Sequence, residues 1–378
     1  MIPYGRQYID EKDIAAVSSV LSSDRLTQGP QLEQFERNLA TYCGAKYAVA
    51  VNSGTSALHI AYLAAGIGPG DEVITTPNTF VATSNMIAAI GAVPVLCDIE
   101  LETYNIDVTQ IEACITEKTK AIVPVHFSGH PADMDAIEAI AKKYNLLVIS
   151  DACQALGATY KEYKIGSCTQ SDMTVFSFHP VKSITTAEGG AVLTNNKDMY
   201  EHMLRLRSHG ITRDPALLQE EHGDWYFEMI EMGYNYRLTD LHAALGITQL
   251  EKLDWFMSER KKQAAYYMHA LQDVSGVVLP MEQQHVSSAW HLFVIRVAPE
   301  HRRSIFDGMR EAGIWVQVHH VPVHIHPYFV ALFGKRLSLE KSDAYYASCF
   351  SLPIYPGLLQ EDQDRVIRTL TQLIKKYE

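Results

Sequence analysis

Lys182 stands in Ser177-Phe178-His179-Pro180-Val181-Lys182-Ser183-Ile184-Thr185-Thr186-Ala187-Glu188-Gly189-Gly190. An apolar run, Met173 to Phe178, precedes it and reads as a buried strand; Ala191 to Thr194 follows and reads as another. A lysine in such a loop is either a solvated charge or an amine that can lose its proton and condense with a carbonyl. The segment Asn52-Ser53-Gly54-Thr55-Ser56-Ala57-Leu58 follows a short apolar strand and opens a helix. Its free amides and dipole suit an anion, with the Thr55 and Ser56 hydroxyls as further donors. Asp151 directly follows the strand Leu146 to Ser150, at the carboxyl end where ligands of open α/β sheets sit. Phe80, in Thr76-Pro77-Asn78-Thr79-Phe80-Val81-Ala82-Thr83, is an aromatic just past a strand end. Ser177 is an extra hydroxyl beside the lysine loop, and Asn235 is a neutral donor in Gly233-Tyr234-Asn235-Tyr236-Arg237-Leu238-Thr239-Asp240. Taken singly, these are a helix cap, a capping aspartate, a core aromatic and a helix start. Taken together, they are the parts that pyridoxal phosphate requires: an amine for its aldehyde, a cradle for its phosphate and a ring to stack on it. Asp151 would be the carboxylate for its pyridine nitrogen, and Gln154 is placed to reach its phenolic oxygen.

These residues need a scaffold that brings strand ends together. Helix-period segments (Gln31 to Tyr42, Ser56 to Ala65, Ala82 to Ile90, Ile111 to Ile115, Ala132 to Tyr144) alternate with short apolar runs. The runs are Tyr47 to Val51, Glu72 to Thr75, Val93 to Cys97, Ala121 to Val125 and Leu146 to Ser150. Such alternation predicts a mostly parallel sheet covered on both faces. Gln249 to Gln272 reads as one long charged helix. Beyond it His291 to Val297 and Val316 to His319 read as strands, and Arg302 to Ala312 and Glu361 to Lys376 as helices. The expected division is a large α/β domain over residues 1–250 and a linker helix with a small α+β domain over residues 251–378.

With 378 residues, 47% hydrophobic and 20% charged, the composition is that of a globular chain. A net charge of −12 argues against a nucleic-acid partner, which calls for a basic face. The six cysteines, at 43, 97, 114, 153, 168 and 349, include no CxxC pair and suit buried thiols in a reducing cytoplasm. No export signal or membrane-length apolar stretch is expected. Histidines crowd His319-His320-Val321-Pro322-Val323-His324-Ile325-His326, a spacing that could hold zinc. No acidic or cysteine partner lies near them in sequence, so no metal is expected.

The ordered segments resemble the DegT-type sugar-nucleotide aminotransferases, with the fold type I architecture of pyridoxal-phosphate enzymes. The resemblance runs from Leu26-Thr27-Gln28-Gly29 to Asp240. It is greatest to the C4 aminotransferases of the pseudaminic-acid pathway, through Ser177 to Lys182, Ile184 to Gly190 and Gln317-Val318-His319. It implies that Lys182 carries the cofactor imine and shuttles protons. Asp151, Gln154 and Phe80 would hold the ring, and Thr55, Ser56 and Ser177 the phosphate. It further implies a homodimer with shared active sites, Asn235 crossing from the partner. Substrate contacts are implied for Tyr4, Leu26, Thr27, Gln28 and Gly29, and for Ser56, Ser177 and Asn235. They are implied likewise for His324, Ile325, His326 and Pro327. The implied reaction moves the amino group of L-glutamate to C4 of a UDP-linked 4-keto-6-deoxy-N-acetylhexosamine. Another nucleotide keto-sugar, or a non-catalytic pyridoxal-phosphate-binding protein, is the alternative. Lys182 itself sets the chain apart from family dehydratases, in which histidine replaces that lysine.

Overall fold

The computed structural model describes residues 1–377. Seven strands form the main sheet: β1 (Tyr47–Val51), β2 (Glu72–Thr75), β3 (Val93–Leu96), β4 (Thr119–Val123), β5 (Leu147–Asp151), β6 (Met173–Ser177) and β7 (Gly190–Thr194). Their order is β1-β7-β6-β5-β4-β2-β3. Strands β2 to β6 pair in parallel; β7 runs antiparallel to both β6 and β1. Helices cover both faces, which is why these strands are continuous apolar runs: β7 is buried throughout its length. Parallel pairing demands crossovers, and Ala82–Ala89 and Met134–Tyr144 are among the helices that supply them.

Local chemistry sets the helix ends. Pro30–Cys43 begins on a proline and stops at Gly44, whose φ of 80° is open to glycine without strain. Asp133 caps Met134–Tyr144 at the Ala136 amide. The long helix expected over Gln249 to Gln272 is two helices, Asp240–Glu251 and Leu253–Leu271, interrupted at Lys252. The Lys252 amine bonds Asp10 at 3.0 Å and Asp13 at 2.5 Å. Helix Glu11–Leu21, which begins there, thereby packs along Asp240–Glu251. The strand expected over Val316 to His319 is a single bridge, Gln317 to Ser351, because the chain turns at once toward Pro322.

A separate apolar core, which includes Tyr267, Phe293, Ile305, Phe350 and Leu370, surrounds β8 (Phe293–Arg296) and β9 (Cys349–Leu352), paired antiparallel. Ile2 belongs to this core and bridges Ile314. Tyr4, two residues on, accepts the Ile354 amide at 3.2 Å, so the N-terminal segment is pinned beside the sheet's carboxyl end. The core packed against the main sheet, which includes Phe35, Ile74 and Phe176, draws in Leu253, Phe256 and Val286 from beyond the sheet region. Arg260, wholly buried, donates from Nη1 to the carbonyls of Trp290, His291 and Ile354 at 3.0–3.3 Å. That ties helix Leu253–Leu271 to the loops flanking the second core. All six cysteines are free. Among the described residues no helix is long and apolar enough to cross a membrane.

Candidate active site

At the end of β1, Ser53 takes an extended conformation and caps helix Gly54–Ala64. Its Oγ accepts the Ser56 amide at 3.0 Å and its carbonyl accepts the Ala57 amide at 3.0 Å. The first amides of the helix, those of Gly54 and Thr55, remain for a ligand. A side chain at Gly54 would meet Ser177 Cβ at 2.9 Å, and one at Gly190 would meet the Ser53 carbonyl at 2.5 Å. Both glycines are therefore conditions for seating this helix start against the ends of β6 and β7.

Asp151 closes β5 and is buried. Its Oδ2 accepts from Thr83 Oγ1 at 2.6 Å, and its Oδ1 accepts from the Cys153 amide at 3.1 Å. Thr83 is itself bonded to Thr79, Oγ1 to Oγ1, at 2.8 Å. Gln154 Oε1 accepts from the Ser128 amide at 2.7 Å, and its Nε2 lies 3.4 Å from His320 Nε2. The Phe80 ring is 58% exposed at the cavity wall.

Lys182 sits in the loop between β6 and β7. Threonines lace that loop: the Phe178 carbonyl accepts from the Thr186 amide at 3.0 Å and from Thr185 Oγ1 at 3.1 Å. Ala187 takes a φ of 64°, a conformation that costs a non-glycine residue about 1 kcal/mol or more. Burial holds the Lys182 amine below the ordinary lysine value, opposed by Cys153 and Asp151. Burial also keeps the surrounding imidazoles neutral: His319 is pushed down to about 4, and His291 and His320 lie well below the usual range. His291 Nδ1 is buried and has no partner among the described residues.

One cavity of about 390 Å³ collects Tyr4, Thr55, Phe80, Asp151, Gln154, Ser177 and Lys182. The remaining candidates lie elsewhere. Ser56 turns inward and donates to Asn52 Oδ1 at 2.6 Å. Asn235 is exposed, with its carbonyl 3.5 Å from Asn52 Nδ2. Leu26, Thr27, Gln28 and Gly29 form a turn held by Asp240, whose Oδ2 accepts the Gly29 amide at 2.8 Å. His324 is buried against Asp343, Nε2 to Oδ1 at 3.1 Å. Ile325 ends a short 3-10 turn and Pro327 opens helix Pro327–Leu332. His326 lines a separate groove of about 410 Å³ with Asn85 and Tyr328. Sequence reasoning does not reach Thr83, Cys153, His291 or His320. Thr83 and Asp151 are 68 residues apart, and His320 is one of several histidines in a run with no local mark to single it out.

The cavity fits pyridoxal phosphate on its own terms. It offers a depressed amine, a fixed buried carboxylate, an exposed ring and a helix start beside two hydroxyls, Thr55 and Ser177. Comparison with known proteins agrees. Residues 7–371 match the DegT/DnrJ/EryC1/StrS aminotransferase family. The spore coat polysaccharide biosynthesis protein SpsC of Bacillus subtilis is 41% identical, over 99% of this chain and 97% of its own. Helicobacter pylori PseC, an aminotransferase involved in the biosynthesis of pseudaminic acid, superposes with a TM-score of 0.93 at 32% identity over 99% of both chains. NtdA of Bacillus subtilis, solved with bound pyridoxamine phosphate, gives 0.87 at 33% identity over 97% of this chain and 83% of its own. The chain belongs to the DegT/DnrJ/EryC1/StrS family and is a pyridoxal-phosphate-dependent sugar aminotransferase of fold type I.

Proposed function

We infer that the enzyme moves the amino group of L-glutamate to C4 of a UDP-linked 4-keto-6-deoxy-N-acetylhexosamine, in a route to pseudaminic acid. The observation that carries the site assignment is the convergence of Lys182, Asp151 and the Gly54–Thr55 helix start on one cavity. When bound, pyridoxal phosphate supplies an aldehyde for amines and a ring that takes up electrons. Lys182 would take the proton from the α-carbon of glutamate and pass it on; the amino group would stay with the cofactor, and water would supply the carbonyl oxygen of the departing 2-oxoglutarate. In the second half Lys182 delivers a proton to the sugar carbon that receives nitrogen. Burial favours the neutral amine that the first step needs. Asp151, held by Thr83, would keep a proton on the pyridine nitrogen, and the Gly54 and Thr55 amides, Thr55 Oγ1 and Ser177 would hold the phosphate.

Two features support a cytoplasmic homodimer with shared sites. Among the described residues Lys182 is the only lysine lining the cavity and no arginine joins it, which leaves room for cations from a second copy to meet the donor's carboxylates. The stretch from Leu217 to Met232 displays Trp225 (74% exposed), Met229 (64%) and Met232 (69%), and Asn235 follows it outward. We take residues 1–250 as the cofactor-holding unit and 251–378 as the unit that closes on it. The six free cysteines suit a reducing compartment.

The 41% identity to SpsC favours one second reading, the same transfer on a nucleotide keto-sugar destined for another surface polysaccharide. A panel of UDP-, dTDP- and GDP-linked keto-sugars incubated with glutamate separates the two. The expected result is a gain of nitrogen at C4 of the UDP-linked N-acetyl sugar, read by mass and NMR; preference for another member of the panel moves the assignment there.

A further inference from the structure

We propose that His320 is a positioning residue for Gln154: as the neutral Nδ1–H tautomer it accepts from the Gln154 amide and fixes that amide's second N–H toward the cofactor ring. The Ser128 backbone N–H can only donate. The Gln154 atom 2.7 Å away is therefore Oε1, and the amide cannot be flipped. Gln154 Nε2 then faces His320 Nε2 at 3.4 Å. An amide nitrogen has no lone pair to offer, so the facing ring nitrogen must be bare and the proton of the neutral imidazole must sit on Nδ1. One Nε2 hydrogen is spent on His320; the other remains for the cavity that Gln154 lines.

Three contacts fix the His320 ring. It meets Phe80 edge-on at 6.0 Å, Phe127 at 6.2 Å and His319 at 5.1 Å. Burial and the neighbouring His319 and Lys182 keep it uncharged, and a protonated ring would set N–H against N–H. The aromatic contact couples Phe80, which lines the same cavity, to this imidazole. His320 thus acts through Gln154 and does not itself touch the reacting atoms.

The part of the proposal that concerns the ring's phenolic oxygen rests on the cofactor reading above; the tautomer does not. In full-length protein labelled with 15N at histidine, two-bond 1H–15N correlations read the His320 tautomer, assigned by the peak lost in H320Q. A proton on Nδ1 is expected; a proton on Nε2 overturns the proposal whether or not cofactor is bound. In loaded enzyme, H320F and Q154A should each weaken cofactor binding about three- to tenfold, the scale of one hydrogen bond. Each should also move the pH midpoint of the bound cofactor's absorption in the same direction. The double variant should do no more than either alone. H320Q, which places an acceptor near the old Nε2 position, should recover most of both. Unchanged values in H320F, or additive effects in the double variant, overturn the proposal. Purified protein that takes up no pyridoxal phosphate defeats the parent reading and leaves the tautomer measurement to decide this one.

Discussion

Lys182 is half-buried, its amine is desolvated, and among the described residues it has no hydrogen-bonded counterion to repay the cost. Its folded-state amine is depressed by burial, so the unfolded chain binds more protons at every pH between that depressed value and the unfolded lysine value of about 10.5. Stability conferred by this position therefore rises with pH across that window. Lys182→Ala should lose turnover by about a thousandfold or more, since proton transfer alone is worth about 10²–10⁴. Its melting temperature in cofactor-free form should be no lower than wild type. Retained transfer without added amine would sink the lysine assignment. Thr83 is the second residue-scale test. Thr83→Val removes the donor to Asp151 Oδ2 and should cost about 1–3 kcal/mol of cofactor affinity, with Thr83→Ser restoring it; equal affinities in all three would make the bond incidental. Lys182, Asp151 and Ser177 were readable because strand ends are visible as apolar runs that stop. Thr83 was not, because nothing local distinguishes a threonine that caps its own helix from one that reaches a carboxylate on another strand.

At the scale of elements, the anion cradle is a packing result. Helix Gly54–Ala64 approaches β6 and β7 so closely that neither Gly54 nor Gly190 has room for a methyl group. A Cβ at Gly190 would press on backbone, which cannot rotate away, whereas one at Gly54 meets side-chain atoms of Ser177. Gly190→Ala should therefore cost more: about 1–3 kcal/mol of stability for overpacking, with a larger loss of cofactor affinity than Gly54→Ala. Melting curves and cofactor titrations check both; the reverse order would mean that the helix start can move. The alternation of helix and strand was legible for the same reason as the site, since parallel strands buried on both faces leave uninterrupted apolar runs. The break at Lys252 was not. The helical pattern runs through it, and the side chain at the break is tied at long range to Asp10 and Asp13, invisible to any local window.

At the scale of the whole molecule, neutral buried histidines should set the acid limit of the fold. His126 Nδ1 accepts the Ala132 amide at 3.1 Å, and His130 Nε2 accepts the Gln283 amide at 3.2 Å while its Nδ1 donates to the Pro131 carbonyl at 2.8 Å. Burial pushes these imidazoles down to about 3 and about 4, and His319 down to about 4. All three lie below the unfolded value of about 6.5, so between those limits the unfolded chain binds more protons. Their contribution is complete above pH ~6.5 and is lost as pH falls through the folded values. A shift from about 6.5 to about 4 corresponds to about 3 kcal/mol for one group, a sizeable part of a total stability of about 5–15 kcal/mol. The melting temperature should therefore fall steeply from pH 6.5 toward 4.5, before most carboxylates titrate. His126→Asn keeps an acceptor for the Ala132 amide but cannot be protonated, so it should flatten that slope whatever it costs at neutral pH. Parallel curves for the two proteins would show that acid lability lies elsewhere.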